Sequence, residues 1–414
     1  MNLRRYAAVL LTVALTAGCG GGPADDSGSG ELVFANWQWL EPGRGEALWQ
    51  AVNGYTATDP AVTLKQQAIA RKDYESTLKT QIGARGGPDI LIVPDTFLPE
   101  LAEAGALEPL DDVLDDAGRA ALNATNDAGV LDGKQVGYAW EIVNYALFWN
   151  TALLDRAGVQ PPTDFPGLVA AAKTIKEKTG NPGFAVRHQI NEEAPWWIDF
   201  SNWSYGFGGA WSRDGALTID SPQNVAAVTA FRDMYESGAM AVGDDASTFR
   251  SKFKAGTVGM MIDNSSALAT MVAGNTVVPS TGVGASPLPF PARASGQAGF
   301  FVGINAFSTN KTAAKKWLRW FYGADPQKQA AAALGASVLG TDTTPPAEFV
   351  TANPWVPTFQ AQAALSTDAV IDGFETATPR IRHIVLTEVE KVLVDGADPA
   401  VALARAQEAA EKLR

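Results

Sequence analysis

The chain has 414 residues, 46% hydrophobic and 19% charged, with a formal charge of −13, two histidines and one cysteine. That composition suits a soluble protein of two domains with a large core. The acidic balance argues against nucleic acid and against electrostatic adhesion to anionic lipid, and the lone Cys19 argues against a disulfide or thiolate metal site.

The first residues read as an export signal. Arg4 and Arg5 precede an apolar run from Tyr6 to Ala17, so residues 1–18 form a signal peptide too short to stay as a spanning helix. Its end, Leu15-Thr-Ala-Gly-Cys19, resembles the lipobox of bacterial lipoproteins, with Thr16 where that family usually has leucine. The resemblance implies lipid on Cys19 and an extracytoplasmic, membrane-anchored protein at the cell surface or in the periplasm. Residues 19–30, rich in Gly, Ser and Asp, follow as a flexible tether with a reach of roughly 18 Å. No later run reaches the roughly 20 apolar residues of a membrane helix.

From Glu31 the chain alternates strand and helix signals. ELVFA (31–35) is a strand, Arg44 to Thr58 has helical spacing, VTLKQQAI (62–69) is a second strand, and Asp73 caps a helix carrying Tyr74, Leu78 and Ile82. PDILIVPD (88–95) is a continuous apolar run, as expected of a strand covered on both faces. This βαβαβ order predicts an open α/β lobe, whose ligand sits beyond the carboxyl ends of the strands. Trp37, Trp39, Glu41 and Asp95 all lie there. A second region repeats the logic: residues 136–159 read as strand, loop, strand and helix, Phe165 to Lys178 as a helix, and GFAV (183–186) as a strand leading to Arg187 and His188. The stretch 194–211 packs Trp196, Trp197, Trp203 and Trp211 among Phe, Tyr and Gly, in loops or at element ends; Asn224 to Ser237 and Phe249 to Lys254 read as helices, and VGMMID (258–263) as a strand ending in Asp263.

Several segments together resemble the extracellular solute-binding proteins of bacterial ABC importers, in their carbohydrate branch that includes maltose-binding protein. They are RGGPDILIVPD (85–95), LAEAGALEPLDDVL (101–114), GKQVGYAW (133–140), LFWNTALLDRAGVQPPTDFPGLVAAAKTI (147–175), FKAGTVGMMID (253–263), VGASPLPFP (283–291) and VGINAFSTNKTAAKKWLRWFYGADPQKQ (302–329). The resemblance implies a periplasmic-binding-protein-like α/β fold of two lobes, each an open sheet flanked by helices, joined by a three-segment hinge. The first lobe would comprise 31–141 and 303–338, the second 142–302 and 339–414. It also implies a monomer that closes on a carbohydrate and delivers it to ABC permease subunits in the membrane, with no nucleic acid involved.

A pyranose offers an apolar face and a ring of hydroxyls, which aromatic rings and carboxylates or amides match. Tryptophans placed in loops or at element ends are therefore the candidates: Trp37, Trp39, Trp140, Trp196, Trp197, Trp203 and Trp355. Trp49, Trp149, Trp317 and Trp320 read as core. Among polar residues, Glu41 and Asp263 with Asn264 end strands or follow them; the resemblance adds Asp95, Glu141 with Asn144, and Gly299 with Phe300. Arg71, Arg187 and Arg380 are weaker candidates that gain importance if the ligand carries a phosphate. The alternative to a sugar is a glycerophosphodiester or polyol, with tryptophans and acids caging a choline-like head. A surface glycoside hydrolase is a lower alternative, since two facing carboxylates are its machinery. No zincin, nucleophile-elbow, Walker A or paired-cysteine pattern is present, and neither catalysis, metal nor cofactor is expected.

Overall fold

Three apolar strands set the first half of the molecule, and in the computed structural model, which describes residues 28–413, each forms where its alternation places it. The signal peptide, Cys19 and most of the tether lie outside the described residues. Strand β1 (Gly30–Ala35) leads into helix α1 (Arg44–Asn53), which Gly54 separates from one further turn, Tyr55–Thr58. Strand β2 (Val62–Gln67), helix α2 (Tyr74–Gly83) and strand β3 (Ile90–Pro94) follow, and β3 is buried at every position.

The central element is β4 (Tyr138–Asn150), 13 residues long and buried throughout. The expected break between two strands is absent; what remains of it is a register shift at Trp140, where Phe300 pairs with Glu141 and Phe301 with Ala139. After β4 come helix α3 (Phe165–Thr179), the short strand β5 (Phe184–Ala185), helix α4 (Glu193–Gly206) and helix α5 (Pro222–Tyr235). Helix α6 (Ala246–Lys254), strand β6 (Met260–Asn264) and helix α7 (Ser265–Met271) precede strands β7 (Val283–Ser286) and β8 (Ser295–Ile304). Helices α8 (Lys311–Phe321) and α9 (Ala324–Leu334), strand β9 (Ser366–Thr367), and helices α10 (Thr378–Val394) and α11 (Pro399–Glu411) complete the main framework. Side chains cap the helices around the second half: Asp164, Ser221, Asp245 and Asn264 each accept a backbone N–H from the first turn of their helix.

The strands form one nine-stranded path in the order β2-β1-β3-β8-β4-β6-β5, with β7 on β4 and β9 on β8. The pairing of β1 with β2 and β3 is parallel, whereas β8 runs antiparallel to both β3 and β4. Both lobes therefore share β4. Residues 138–144 pair with β8, and residues 145–149 pair with β6. A third segment crosses at the same level, where Ile142 and Val338 exchange backbone hydrogen bonds of 2.7 and 2.9 Å.

Two aromatic cores flank this seam. In one, Phe321 stacks between Trp140 and Trp317 at 5.0 and 5.2 Å, and Phe34 meets Trp39, Trp140 and Trp317 edge-on. In the other, Trp203 packs on Phe231 and Phe290 at 4.8 and 4.9 Å, and Trp197 lies 4.4 Å from Trp211. The stretch expected in loops or at element ends is helix α4. Its residues Trp196, Phe200 and Trp203 follow helical spacing on one side while Trp197 and Ser201 follow it on another, which marks a helix buried all round.

Packing of helix α3 on the strand that leads to Arg187 leaves no room at Gly183. A methyl there would lie 2.0 Å from the carbonyl oxygen of Ala172, in the body of α3. Gly183→Ala is expected to destabilise the fold by about 1–3 kcal/mol or more, read as a lower urea midpoint with an unchanged m-value.

Candidate functional site

A cavity of about 670 Å³ opens between the two halves of the molecule, within the roughly 300–1,000 Å³ typical of small-molecule sites. Its floor is the shared sheet: Ala298 and Phe300 from β8, and Glu141 and Tyr145 from β4. One wall carries Trp37, Leu40, Glu41, Arg71 and Lys72; the other carries Arg187, Glu192, Ile198, Arg250, Asn264, Ser266 and Thr270.

The stretch FANWQWLEPGRG (34–45) builds the first wall. Asn36 starts the 3-10 turn Trp37–Leu40 by accepting the N–H of Gln38. Gln38 points inward, donating to Glu141 and accepting from Asn36 at 2.9 Å and from the Trp140 indole at 2.8 Å. Glu141 is fully buried, and its other oxygen takes Arg44 at 2.6 Å; Arg44 also reaches Glu41 at 2.5 Å. Burial pushes the Glu141 carboxyl up, opposed by the Arg44 charge. Gly45 allows this closeness, because a methyl there would sit 2.5 Å from the Gln38 carbonyl. The adjacent tryptophans then diverge. Trp39 turns into the core against Phe34 and Trp49, its indole N–H on the Phe34 carbonyl at 3.1 Å. Trp37 faces the cavity, held edge-on by Tyr74 and Phe300 at 4.9 Å each, with the Arg71 guanidinium 4.9 Å from its ring.

The second wall is a lattice of paired charges. Arg187 contacts Asp199 at 2.5 Å and Glu192 at 3.2 Å, the Tyr145 hydroxyl donates to Asp199 at 2.6 Å, and Glu192 accepts the Ala246 N–H at 3.0 Å. Burial raises the Asp199 carboxyl to about 6, against the pull of Arg187. Arg250 grips Asp263 with two hydrogen bonds of 2.8 and 2.9 Å. His188 serves this scaffold: Nε2 accepts the Gly243 N–H at 3.0 Å, which leaves Nδ1 to donate to the Val186 carbonyl at 2.8 Å.

A second cavity, of about 340 Å³, lies on the opposite face of β8, where Gln297, Gly299 and Phe301 point away from Ala298 and Phe300. Asp95 lines it with Asp368, Asp372 and Glu375. The Asp95 carboxyl accepts the Thr96 and Gly299 N–H groups at 2.7 Å each. Burial, helped by the Asp368 charge, nevertheless raises it to about 8.

The expected site residues thus separate. Trp37, Glu41, Glu141, Asn264 and Phe300 meet at the larger cavity, and Asp95 and Gly299 at the smaller one. Several expectations are corrected. Trp140, Trp196, Trp197, Trp203 and Trp355 are at most 1% exposed and line neither cavity. Trp197 and Trp355 spend their indole N–H groups on the Ala369 carbonyl and the Ser280 hydroxyl. Trp39 is core as well. Asn144 is buried and accepts from Ser366 at 3.0 Å, and Asp263 is buried under Arg250. Residues not anticipated are Tyr145 and Arg250. Strand parity with Glu141 signals Tyr145, whereas Arg250 meets Asp263 only through the fold.

The model of the family described as bacterial extracellular solute-binding protein matches residues 39–328. A putative binding protein of Brucella abortus is 28% identical over 214 residues, covering 50% of this chain and 52% of that one, so the chain spans about half the length of this curated relative. The GacH receptor of Streptomyces glaucescens, solved unliganded and with acarbose, superposes with a TM-score of 0.81 at 25% identity, over 93% of this chain and 98% of that one. UgpB of Mycobacterium tuberculosis, solved with glycerophosphocholine, shares the fold at a TM-score of 0.74 and 19% identity, covering 93% and 98%. The expected two-lobed α/β architecture is the one that these structures have.

The raised Asp95 carboxyl sets a pH dependence. Its folded value of about 8 lies above the unfolded value of roughly 3.9, so the folded state holds the extra proton between them and stability falls as pH rises through that window. Melting free energy is expected to drop by about 1 kcal/mol or more from about pH 6 to pH 8, and Asp95→Asn to flatten that slope.

Proposed function

The chain belongs to the family of bacterial extracellular solute-binding proteins, and from that premise we propose that it captures a sugar, mono- to small oligosaccharide, between its lobes and hands it to an ABC permease. The observation that carries the reading is the larger cavity, walled by both halves and floored by the strand they share. Its chemistry suits a saccharide: apolar surface from Leu40, Ile198 and Phe300 stands beside the hydroxyls of Ser247, Ser266 and Thr270, the Asn264 amide and the Glu41 carboxylate. Acarbose in the GacH receptor supports the same class of ligand.

Capture requires that ligand contact both walls more fully in the closed form than in the open one, since equal contact shifts nothing. The lobes are assigned as 31–141 with 303–338 and 142–302 with 339–414, crossing where residues 141–145, β8 and Val338 meet. The protein acts without catalysis, as a monomer, held extracytoplasmically by lipid on Cys19. A second reading, a glycerophosphodiester or polyol ligand, draws on Arg71 and Lys72 beside Trp37 and on the fold shared with UgpB.

Thermal-shift titration of the purified chain with mono-, di- and trisaccharides, polyols and glycerophosphocholine tests both. A ligand present at a hundredfold excess over its Kd stabilises by about 2.7 kcal/mol. A shift with saccharides alone supports the first reading, and a shift with glycerophosphocholine alone replaces it by the second. Ligand recovered chemically unchanged is expected; cleaved ligand would establish the hydrolase alternative. Trp37→Ala is expected to weaken binding by about 1–3 kcal/mol, or 5–150-fold, while Trp203→Ala lowers the apo melting temperature and leaves the ligand-induced shift in place.

A further inference from the structure

The guanidiniums at the cleft are unequally matched with acids. Arg187 has Asp199 and Glu192, and Arg250 has both oxygens of Asp263. Arg71 has only Glu75, at 3.5 Å, because the other oxygen of Glu75 is taken at 2.7 Å by Arg382, itself braced by Glu193 at 3.1 Å. The Arg71 Nη2 is buried and has no hydrogen-bond partner among the described residues. Burial, with Arg382 and Arg187 close by, pulls the Arg71 guanidinium below its ordinary value, the mark of a cation short of counter-charge.

The guanidinium as a whole still reaches the cleft, with its side chain 18% exposed. The Arg71 guanidinium lies over the Trp37 ring, its Cζ 4.9 Å from the centroid, and its planar fork of donors suits an oxyanion. Lys72 lines the same wall. An uncompensated buried donor costs free energy that a ligand oxyanion would recover, so the apo cleft is built for something that supplies one.

We propose that Arg71, seated on Trp37, reads an oxyanion, carboxylate or phosphate, carried by the captured solute, so that the cleft prefers an acidic sugar to its neutral counterpart. This deepens the sugar-receptor reading and rests on it. An overall charge of −13 does not oppose the assignment: five cations, Arg71, Lys72, Arg187, Arg250 and Lys254, line the cleft against four acids, Glu41, Glu141, Glu192 and Asp245, and screening limits the reach of distant surface acids to roughly 10 Å.

The test is calorimetry on the full chain and on Arg71→Gln and Arg71→Lys with matched probes: digalacturonate against galactobiose, glucose 6-phosphate against glucose, and glycerophosphocholine. The expected result is tighter binding of the acidic member of at least one pair. Arg71→Gln should then lose about 10–100-fold for that member and markedly less for the neutral one, and Arg71→Lys should retain part of the preference. The responding pair tells carboxylate from phosphate. If neutral members bind as well as acidic ones, or Arg71→Gln weakens both alike while lowering the apo melting temperature, Arg71 is a packing residue and the inference fails, with the sugar reading intact. If glycerophosphocholine alone binds and Arg71→Gln abolishes it, the sugar reading fails and the Arg71 assignment stands. No response to any anionic probe at millimolar concentration overturns the assignment.

Discussion

A carboxylate buried in the strand that both lobes share is the constraint around which the cleft is organised. Glu141 has no contact with solvent, and an isolated charge there would be prohibitive, so it must be paired and hydrogen-bonded. Both partners, Gln38 and Arg44, come from the single short segment after β1. Their positions fix the 3-10 turn that carries Gln38, and that turn decides that Trp37 faces the cavity while Trp39 does not. Arg44 spans Glu141 and Glu41, so the outermost acid of the cleft mouth is tied to the innermost one. The aromatic wall is therefore positioned by a polar network as well as by its own packing.

The same strand links the two halves of the sheet. Residues 138–144 pair with β8 and residues 145–149 with β6, so its pairing changes hands at Asn144–Tyr145, beside the floor of the cavity. Tyr145 ties that point to the second wall, because its hydroxyl is bound to Asp199 and Asp199 to Arg187. The carboxylates and guanidiniums already paired within that wall have little left to offer a ligand.

Much of the framework was legible in the sequence because strands and helices in an α/β lobe advertise themselves by period. The apolar run before Asp95 and the short run 31–35 both became strands. Helix α4 escaped because four of its residues are tryptophan or phenylalanine and apolar surface goes all round it, so no polar face marks the period. The same excess of tryptophan misled the choice of site. Indole area is buried wherever a crevice accepts it, and Trp140, Trp196, Trp197, Trp203 and Trp355 all found crevices in the core. Trp37 was distinguishable from Trp39 only through Gln38 between them, whose partner Glu141 lies 103 residues away.

Parity accounts for the remaining division. Along β8 the side chains alternate between two cavities, Ala298 and Phe300 facing one and Gln297, Gly299 and Phe301 the other. Asp95, read by family likeness as a ligand-contacting acid, is bonded to the Gly299 N–H and so falls on the far side from Trp37. The two cavities are nonetheless mechanically joined, because β8 is their common wall and pairs with both β3 and β4. A protonated Asp95 sits comfortably beside Asp368, whereas two ionised carboxylates in that enclosed space repel.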